Sequence, residues 1–288
     1  MTNTPPSDTD KERDIHRATS DDGTQIAGSV QGRGPPLVLV HGGLDDGELS
    51  WGRILPFLTE RFTCYVPSTR GRGLSEDHPD HRPERHVEDL TTYVDSIGEP
   101  VGLVGHSIGG TFALGAVERG AAVSALALHE PAVFEFWEEG EDAERYQDAI
   151  ASAAEAVADD RLADAARALA RGVINNDEEI AALEESGTLE QMGAYVPTVL
   201  QELEQAPETE VPSPTGPSEL AQVTVPTLLV YGSRTTTAHT DSMHYLDEQL
   251  PDADLHEIPD VGHAAPMVAP ELIADEFVKF FADDQALA

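Results

Sequence analysis

Short runs of apolar residues alternate along the chain with segments of helical periodicity. The runs lie at residues 35–43, 62–68, 101–105, 123–130, 225–232 and 253–259. A continuous apolar run of this length is typical of a strand that is buried on both faces. Apolar positions between His86 and Ile97 fall on one face of a helix, and so do those that follow residue 107. Strands that alternate with helices predict a mostly parallel sheet that helices cover on both sides.

The first part of the pattern differs from the rest. Residues 14–32 contain two segments of alternating polarity, separated by Asp22 and Gly23. This dipeptide favours a tight hairpin turn. The sequence therefore predicts that the sheet begins with an antiparallel pair of strands.

A long segment in the middle of the chain has no strand signal. Helically spaced apolar residues occupy 162–173, further helical stretches lie at 180–183 and 192–203, and a proline-rich stretch covers 206–220. We predict a core domain made of residues 14–134 and 218–288. Residues 135–217 are predicted to be a helical cap that ends in a proline-rich linker, and residues 1–13 to be a disordered tail.

The charge of the chain is strongly negative. Aspartate and glutamate number 54 against 17 lysines and arginines, which gives a net charge of -37. The acidic residues are spread along the chain, a pattern that favours a cytosolic protein of a halophile, in which salt screens the repulsion. No basic patch is present for nucleic acid.

The cysteine content and the lengths of the apolar runs indicate the cellular compartment of the protein. Cys64 is the only cysteine, which excludes an intramolecular disulfide and fits a reducing compartment. The first 14 residues have no apolar segment of the signal-peptide type, and no apolar stretch reaches the length of a bilayer span. We therefore expect a soluble, cytoplasmic protein without a membrane partner.

Residues 105–110 read Gly-His-Ser-Ile-Gly-Gly and lie where a predicted strand meets a predicted helix. In this context the G-x-S-x-G pattern indicates a sharp turn that exposes a nucleophilic serine, here Ser107. The start of the following helix favours negative charge that develops at the serine. The alternative is a glycine-rich turn in which Ser107 only caps the helix.

A nucleophilic serine needs a base, and His263 is the best candidate among the eleven histidines. It lies in a loop between the last predicted strand and the final helix. Other histidines have simpler interpretations. We assign His16, His78, His81 and His86 to the surface, His106 to packing or hydrogen bonding in the turn, and His239 and His244 to a helix.

Four motifs together resemble the α/β-hydrolase family: LVLVHGG at 37–43, STRGRGLSE at 68–76, GHSIGG at 105–110 and DVGHAAP at 260–266. The resemblance implies the α/β-hydrolase fold, in which helices flank a mostly parallel sheet of the eight-stranded kind and a helical cap is inserted. It also implies an oxyanion hole formed by the backbone N–H groups of Gly43 and Ile108, with Leu44 as the alternative to Gly43. The order of Ser107 before His263 agrees with the family.

The acid of the triad is not at its usual place in the family. The position after the strand that ends at Gly232 holds Thr235 instead of aspartate. Some relatives take the acid from the end of the preceding strand, which here is Glu130. Asp241 is the alternative, and a site without an acid is the remaining possibility. A second departure is Ser68, where the family usually has aspartate.

The resemblance implies a serine hydrolase that cleaves a small ester or related acyl substrate through an acyl-enzyme, as a carboxylesterase does. The alternatives are a cofactor-free perhydrolase, a carbon–carbon bond hydrolase and a non-catalytic small-molecule receptor on the same fold. We expect no metal or organic cofactor and leave the oligomeric state open. Six residues in the cap or at its start either line an acyl pocket or pack the cap helices against the core: Phe134, Phe136, Trp137, Met192, Tyr195 and Leu200.

The charge excess predicts that salt stabilises the fold. Raising NaCl from about 0.1 M to about 1 M shortens the screening length from about 10 Å to about 3 Å. We expect the melting temperature to rise by about 4–8 °C, which corresponds to roughly 2 kcal/mol. Calorimetry measures the melting temperature in a series of NaCl solutions and in sucrose solutions of equal osmolality. An equal rise in the two series would contradict the electrostatic explanation.

Overall fold

The computed structural model describes residues 14–282, and the predicted disordered tail at residues 1–13 lies outside this range. The described residues form one sheet of eight strands. The strands are β1 (Asp14–Thr19), β2 (Gln25–Gly32), β3 (Pro36–Val40), β4 (Thr63–Pro67), β5 (Val101–His106), β6 (Val123–His129), β7 (Thr227–Gly232) and β8 (Ala253–Ile258).

The order of strands across the sheet is β1-β2-β4-β3-β5-β6-β7-β8. β1 pairs antiparallel with β2, and β2 pairs antiparallel with β4. All the remaining pairs are parallel. The predicted hairpin is confirmed: Thr19 pairs with Gln25, and Gly23 takes a φ of 93° in the turn, which a residue with a side chain adopts less readily.

The helices are α1 (Gly47–Trp51), α2 (Leu55–Leu58), α3 (Pro83–Asp95), α4 (Ile108–Glu118), α5 (Glu141–Ala158), α6 (Leu162–Val173), α7 (Asp177–Glu185), α8 (Thr188–Met192), α9 (Val196–Gln205), α10 (Pro217–Leu220), α11 (Thr237–Gln249), α12 (Ala265–Val268) and α13 (Pro270–Ala282). Short 3-10 helices cover Phe134–Trp137, Gly193–Tyr195 and Ala206–Glu208.

Both faces of the sheet are covered, as the continuous apolar runs predict. Val38 and Val40 pack into a core with residues of α3, α4 and α11. Leu37 and Leu39 alternate with them and pack into a second core with residues of α1, α2 and α13. All four side chains are at most 2% exposed. Since both faces are apolar environments, the strand has no polar alternation.

Between β6 and β7 the chain runs through six α-helices, of which we call the first five, α5–α9, the helical insert (residues 141–205). The insert contributes most of a third apolar cluster, to which Leu169, Leu183 and Met192 belong. Ala264 and Met267, which follow the predicted base His263 in the chain, pack into the same cluster. The predicted division into core and cap at residues 135 and 217 stays a prediction.

Within residues 14–282, no helix is both long enough and apolar enough to cross a bilayer.

Candidate active site

Ser107 lies at the junction of β5 and α4 in a strained backbone conformation. Its φ is 54° and its ψ is -130°, in a region that non-glycine residues rarely occupy. The neighbouring chain lies close: a Cβ atom at Gly109 would be 2.2 Å from the carbonyl oxygen of His41. Only glycine at position 109 therefore allows β3 to approach the turn that presents Ser107.

Glu130 and His263 are joined by a buried hydrogen bond. His263 Nδ1 lies 2.8 Å from Glu130 Oε2. His263 is 5% exposed and Glu130 is 0% exposed. The carboxylate also accepts hydrogen bonds from the Gly232 N–H at 2.9 Å and the Thr235 hydroxyl at 2.8 Å. An ionised carboxylate only accepts, so His263 Nδ1 carries the proton and Nε2 is left as the basic nitrogen of the neutral ring.

The surroundings of Glu130 keep its carboxyl group ionised. Burial by itself raises the pKa of Glu130. The hydrogen bond from His263 and the electrostatic influence of His239, His129 and His263 outweigh burial and hold the pKa well below its usual range. Glu130 is therefore a carboxylate throughout the neutral pH range.

Ser107 and His263 line the same pocket, which lies between the sheet and the helical insert. Among the described residues, no hydrogen bond joins the Ser107 hydroxyl to the His263 ring in this conformation. Such bonds are often long in enzymes without substrate and shorten in the complex. The structure brings Ser107, His263 and Glu130 to one end of the sheet.

The predicted oxyanion donors also face this pocket. Gly43, Leu44 and Ile108 all line it, and the N–H groups of Gly43 and Ile108 have no acceptor among the described residues. The Gly43 carbonyl accepts a hydrogen bond of 2.9 Å from Arg72 Nη2, which fixes the peptide group that carries the Leu44 N–H, next to Gly43. The two N–H groups are thus available to a ligand.

The two departures from the family pattern have structural explanations. Thr235, in the usual place of the acid, donates its hydroxyl to Glu130. Asp241, the alternative acid, is exposed on α11. Ser68 is buried, and its hydroxyl accepts a hydrogen bond from the Gly47 N–H at 3.3 Å.

Two further histidine rings enclose His263. The His239 ring stacks on it with centroids 4.2 Å apart, and His106 Nε2 lies 3.0 Å from the His263 carbonyl oxygen. Burial lowers the pKa of His106 and of His239 well below its usual value, and the proximity of His263 lowers both further. Both rings are therefore neutral at neutral pH.

The assignment of His81 and His86 to the surface is wrong. They are 1% and 2% exposed, and both line the pocket. The His86 ring stacks on Phe112 of α4 at a centroid distance of 4.8 Å. Polar neighbours in the sequence suggested exposure, but the helical insert covers this edge of the core. His16 and His78 are partly buried.

Of the six aromatic and apolar residues for which we left pocket lining and cap packing open, three line the pocket: Phe134, Trp137 and Met192. The other three make different contacts. Phe136 packs against Tyr245, Tyr195 donates a hydrogen bond to Asp46, and Leu200 packs among the helices of the insert. The pocket wall is otherwise largely apolar, with Leu169 and Val173 among its members.

Sequence reasoning missed Glu179, a buried carboxylate on α7 of the helical insert. Glu179 Oε1 accepts the Gly262 N–H at 2.7 Å, and Oε2 accepts the Ala264 N–H at 3.2 Å. These amides lie on either side of His263, so the insert fixes the backbone of that residue. Burial raises the pKa of Glu179, and the two N–H groups oppose this. A Glu in the first turn of a helix carries no sequence signal for this role.

The model of the alpha/beta hydrolase family matches residues 37–276 of this chain. The chain therefore belongs to that family. The resemblance in the four motifs and the expected eight-stranded sheet are both confirmed.

Two curated relatives are similar over part of the chain. A pyrrolizixenacetamide deacetylase of Xenorhabdus hominickii is 30% identical over 129 residues, which are 39% of this chain and 47% of the relative. An N-formylmaleamate deformylase of Pseudomonas putida is 34% identical over 106 residues, or 35% of this chain and 39% of the relative. The matches thus span less than half of each relative.

Solved structures match the fold over almost the whole chain. An alpha/beta hydrolase from Sphaerobacter thermophilus has a TM-score of 0.73 and 27% identity, and the match covers 92% of this chain and 100% of that one. An esterase from Rhodococcus sp. ECU1013 has a TM-score of 0.72 and 20% identity, with coverage of 95% and 99%.

The contacts of Glu179 predict a role in holding His263. In Glu179→Gln the amide nitrogen cannot accept the second backbone N–H, which leaves a buried donor unpaired and costs roughly 1–3 kcal/mol. We expect a lower melting temperature together with a lower kcat for hydrolysis and little change in KM. Glu178→Gln is the matched control, because Glu178 is an exposed neighbour that pairs with Arg234. Equal behaviour of the two variants would contradict the role of Glu179.

Proposed function

We propose that the protein is a serine hydrolase that cleaves small esters or related acyl compounds through an acyl-enzyme. The observation that carries this proposal is the buried hydrogen bond between Glu130 and His263 in the pocket that Ser107 lines. The carboxylate selects the tautomer in which His263 Nε2 is free to take a proton. Membership in the alpha/beta hydrolase family supports hydrolysis as the class of reaction.

In the proposed first step, the Ser107 hydroxyl attacks the carbonyl carbon of the substrate while His263 Nε2 takes its proton. The negative charge moves to the carbonyl oxygen, where the N–H groups of Gly43 and Ile108 stabilise it. His263 then gives the proton to the leaving group as the bond to the carbonyl carbon breaks. Glu130 stays ionised and stabilises the transient imidazolium.

The second step releases the acyl group. His263 accepts a proton from a water molecule, whose oxygen attacks the carbonyl carbon of the acyl-enzyme. The tetrahedral intermediate collapses as its bond to Ser107 Oγ breaks, His263 returns the proton to Oγ, and a carboxylic acid leaves. The neutral, stacked His239 ring borders His263 on one face and limits its rotation during the two transfers.

The pocket wall favours an apolar acyl or leaving group, since Phe134, Trp137 and Leu169 line it. The relatives support acyl chemistry by their names, which are deacetylase, deformylase and esterase. We propose a small-molecule acyl substrate and make no choice among esters, amides and lactones.

An acyl-enzyme predicts a burst of product. With p-nitrophenyl butyrate in excess, we expect rapid release of about one equivalent of nitrophenol per protein before the steady state, followed by slower turnover. Ser107→Ala should lose the burst and about 10³-fold or more of kcat. A protein without a burst that binds the ester equally well with Ala at position 107 would be a receptor.

The structure predicts which acid variant loses activity. Glu130→Gln replaces an acceptor by an amide that can stabilise the wrong tautomer of His263, so we expect kcat to fall by roughly 10²–10⁴-fold. Asp241→Asn should stay within about twofold of the wild type, because Asp241 is exposed on α11. Steady-state kinetics in molar salt measures both. Loss of turnover in the Asp241 variant alone would show that the acid is misassigned.

A further inference from the structure

A second cluster of ionisable side chains lines the pocket apart from the proposed triad. It consists of His81, His86 and Glu202, whose potential ligand atoms all lie within 4.8 Å of one another. The two histidines are almost fully buried, and the Glu202 side chain is 17% exposed. Three metal-ligating groups thus converge at one point in the interior.

Two of the converging atoms have unused lone pairs. His81 Nε2 lies 2.9 Å from Asp77 Oδ1, and since a carboxylate accepts, Nε2 carries the proton and Nδ1 of the neutral ring is a bare acceptor. His81 Nδ1 and both ring nitrogens of His86 are buried without a hydrogen-bond partner among the described residues. Buried polar atoms nearly always have a partner, so His81 Nδ1 and His86 Nε2 are positions that a metal ion or a buried water molecule would fill.

The distances match a small metal ion better than an ammonium group. His86 Nε2 lies 3.4 Å and His81 Nδ1 3.9 Å from Glu202 Oε1. Tetrahedral zinc with bonds of about 2.0–2.1 Å places its ligand atoms about 3.3–3.4 Å apart. An ammonium with hydrogen bonds of about 2.8 Å would place its acceptors about 4.6 Å apart. The two ring nitrogens lie at most 4.8 Å apart, so His81 has to move towards the other two atoms to complete the metal geometry.

Glu202 supplies a carboxylate oxygen next to the two imidazole rings. Arg72 donates to both oxygens of Glu202, at 2.6 and 2.8 Å, but each carboxylate oxygen keeps a second lone pair. Asp77 places a second carboxylate beside His81, and the guanidinium groups of Arg72 and Arg70 also act on this region. Glu202 is therefore the anionic ligand that the cluster itself offers to a metal ion.

We propose that His81 Nδ1, His86 Nε2 and Glu202 Oε1 bind a divalent transition-metal ion of the zinc type. Imidazole ligands select such ions over magnesium and calcium. Asp77 supports the site by orienting His81, as carboxylates commonly do behind metal-bound histidines. The fourth position faces the pocket and takes water or an oxygen atom of a ligand. This site does not depend on the proposed acyl chemistry.

The sequence alone gave the opposite expectation, that no metal is bound. His81 and His86 lie near each other in the chain, but Glu202 comes from α9 of the helical insert, 116 positions after His86. The set forms only when the insert packs against the core.

The test uses the full-length protein, stripped of metal with a chelator and then titrated with zinc in molar NaCl against a chromophoric competitor. We expect one tight equivalent of zinc per chain. His86→Gln should raise the dissociation constant at least about tenfold, and Asp77→Asn by about 10–100-fold. Asp77 is exposed, so the second variant keeps the test valid if the first does not fold. His256→Gln removes a surface histidine that also contacts carboxylates and should leave binding unchanged.

Cobalt gives an independent readout, because four-coordinate Co²⁺ absorbs visible light much more strongly than hexaaqua Co²⁺. The wild type and His256→Gln should show this absorption, and His86→Gln should lose it. No tight equivalent in the wild type, or zinc affinities of His86→Gln and Asp77→Asn that equal the affinity of the wild type, would overturn the proposal in favour of bridging water. Zinc binding that is lost only in His239→Gln would overturn it in favour of the cluster around His263.

Discussion

The hydrogen bond between Glu130 and His263 is the interaction on which the proposed chemistry depends. It places an ionised carboxylate in the interior, where an unpaired charge is costly. The Gly232 N–H and the Thr235 hydroxyl supply further donors, so the carboxylate is well satisfied. Because Thr235 occupies the usual position of the acid, this site stabilises a carboxylate from the neighbouring strand instead.

The helical insert does more than cover the pocket. Glu179 on α7 holds the backbone on both sides of His263, and Glu202 on α9 pairs with Arg72, which in turn holds the Gly43 carbonyl. One carboxylate of the insert thus holds the backbone of the proposed base, and another, through Arg72, holds the peptide group between Gly43 and Leu44 beside the proposed oxyanion hole. Packing of the insert and geometry of the site are therefore coupled, and opening of the insert would loosen both.

The sequence predicted the elements that follow local rules. Apolar runs identified the strands, Asp22 and Gly23 the hairpin, and the glycine spacing the sharp turn at Ser107. The prediction of Glu130 as the acid came from the resemblance to relatives that take it from the preceding strand, and it fits parallel strands that end at one edge of the sheet. Glu179 and the buried state of His86 could not be predicted, because they depend on how the insert packs against the core. Periodicity describes one element at a time and carries no information on such contacts.

The central claim concerns one proton on one imidazole, and nitrogen-15 NMR of the histidine side chains tests it directly. The two ring nitrogens have different chemical shifts when one is protonated and the other is not. At a pH where His263 is neutral, we predict a spectrum in which Nδ1 carries the proton and Nε2 is bare, and loss of that pattern in Glu130→Gln. A neutral His263 that carries its proton on Nε2 in the wild type would contradict the account.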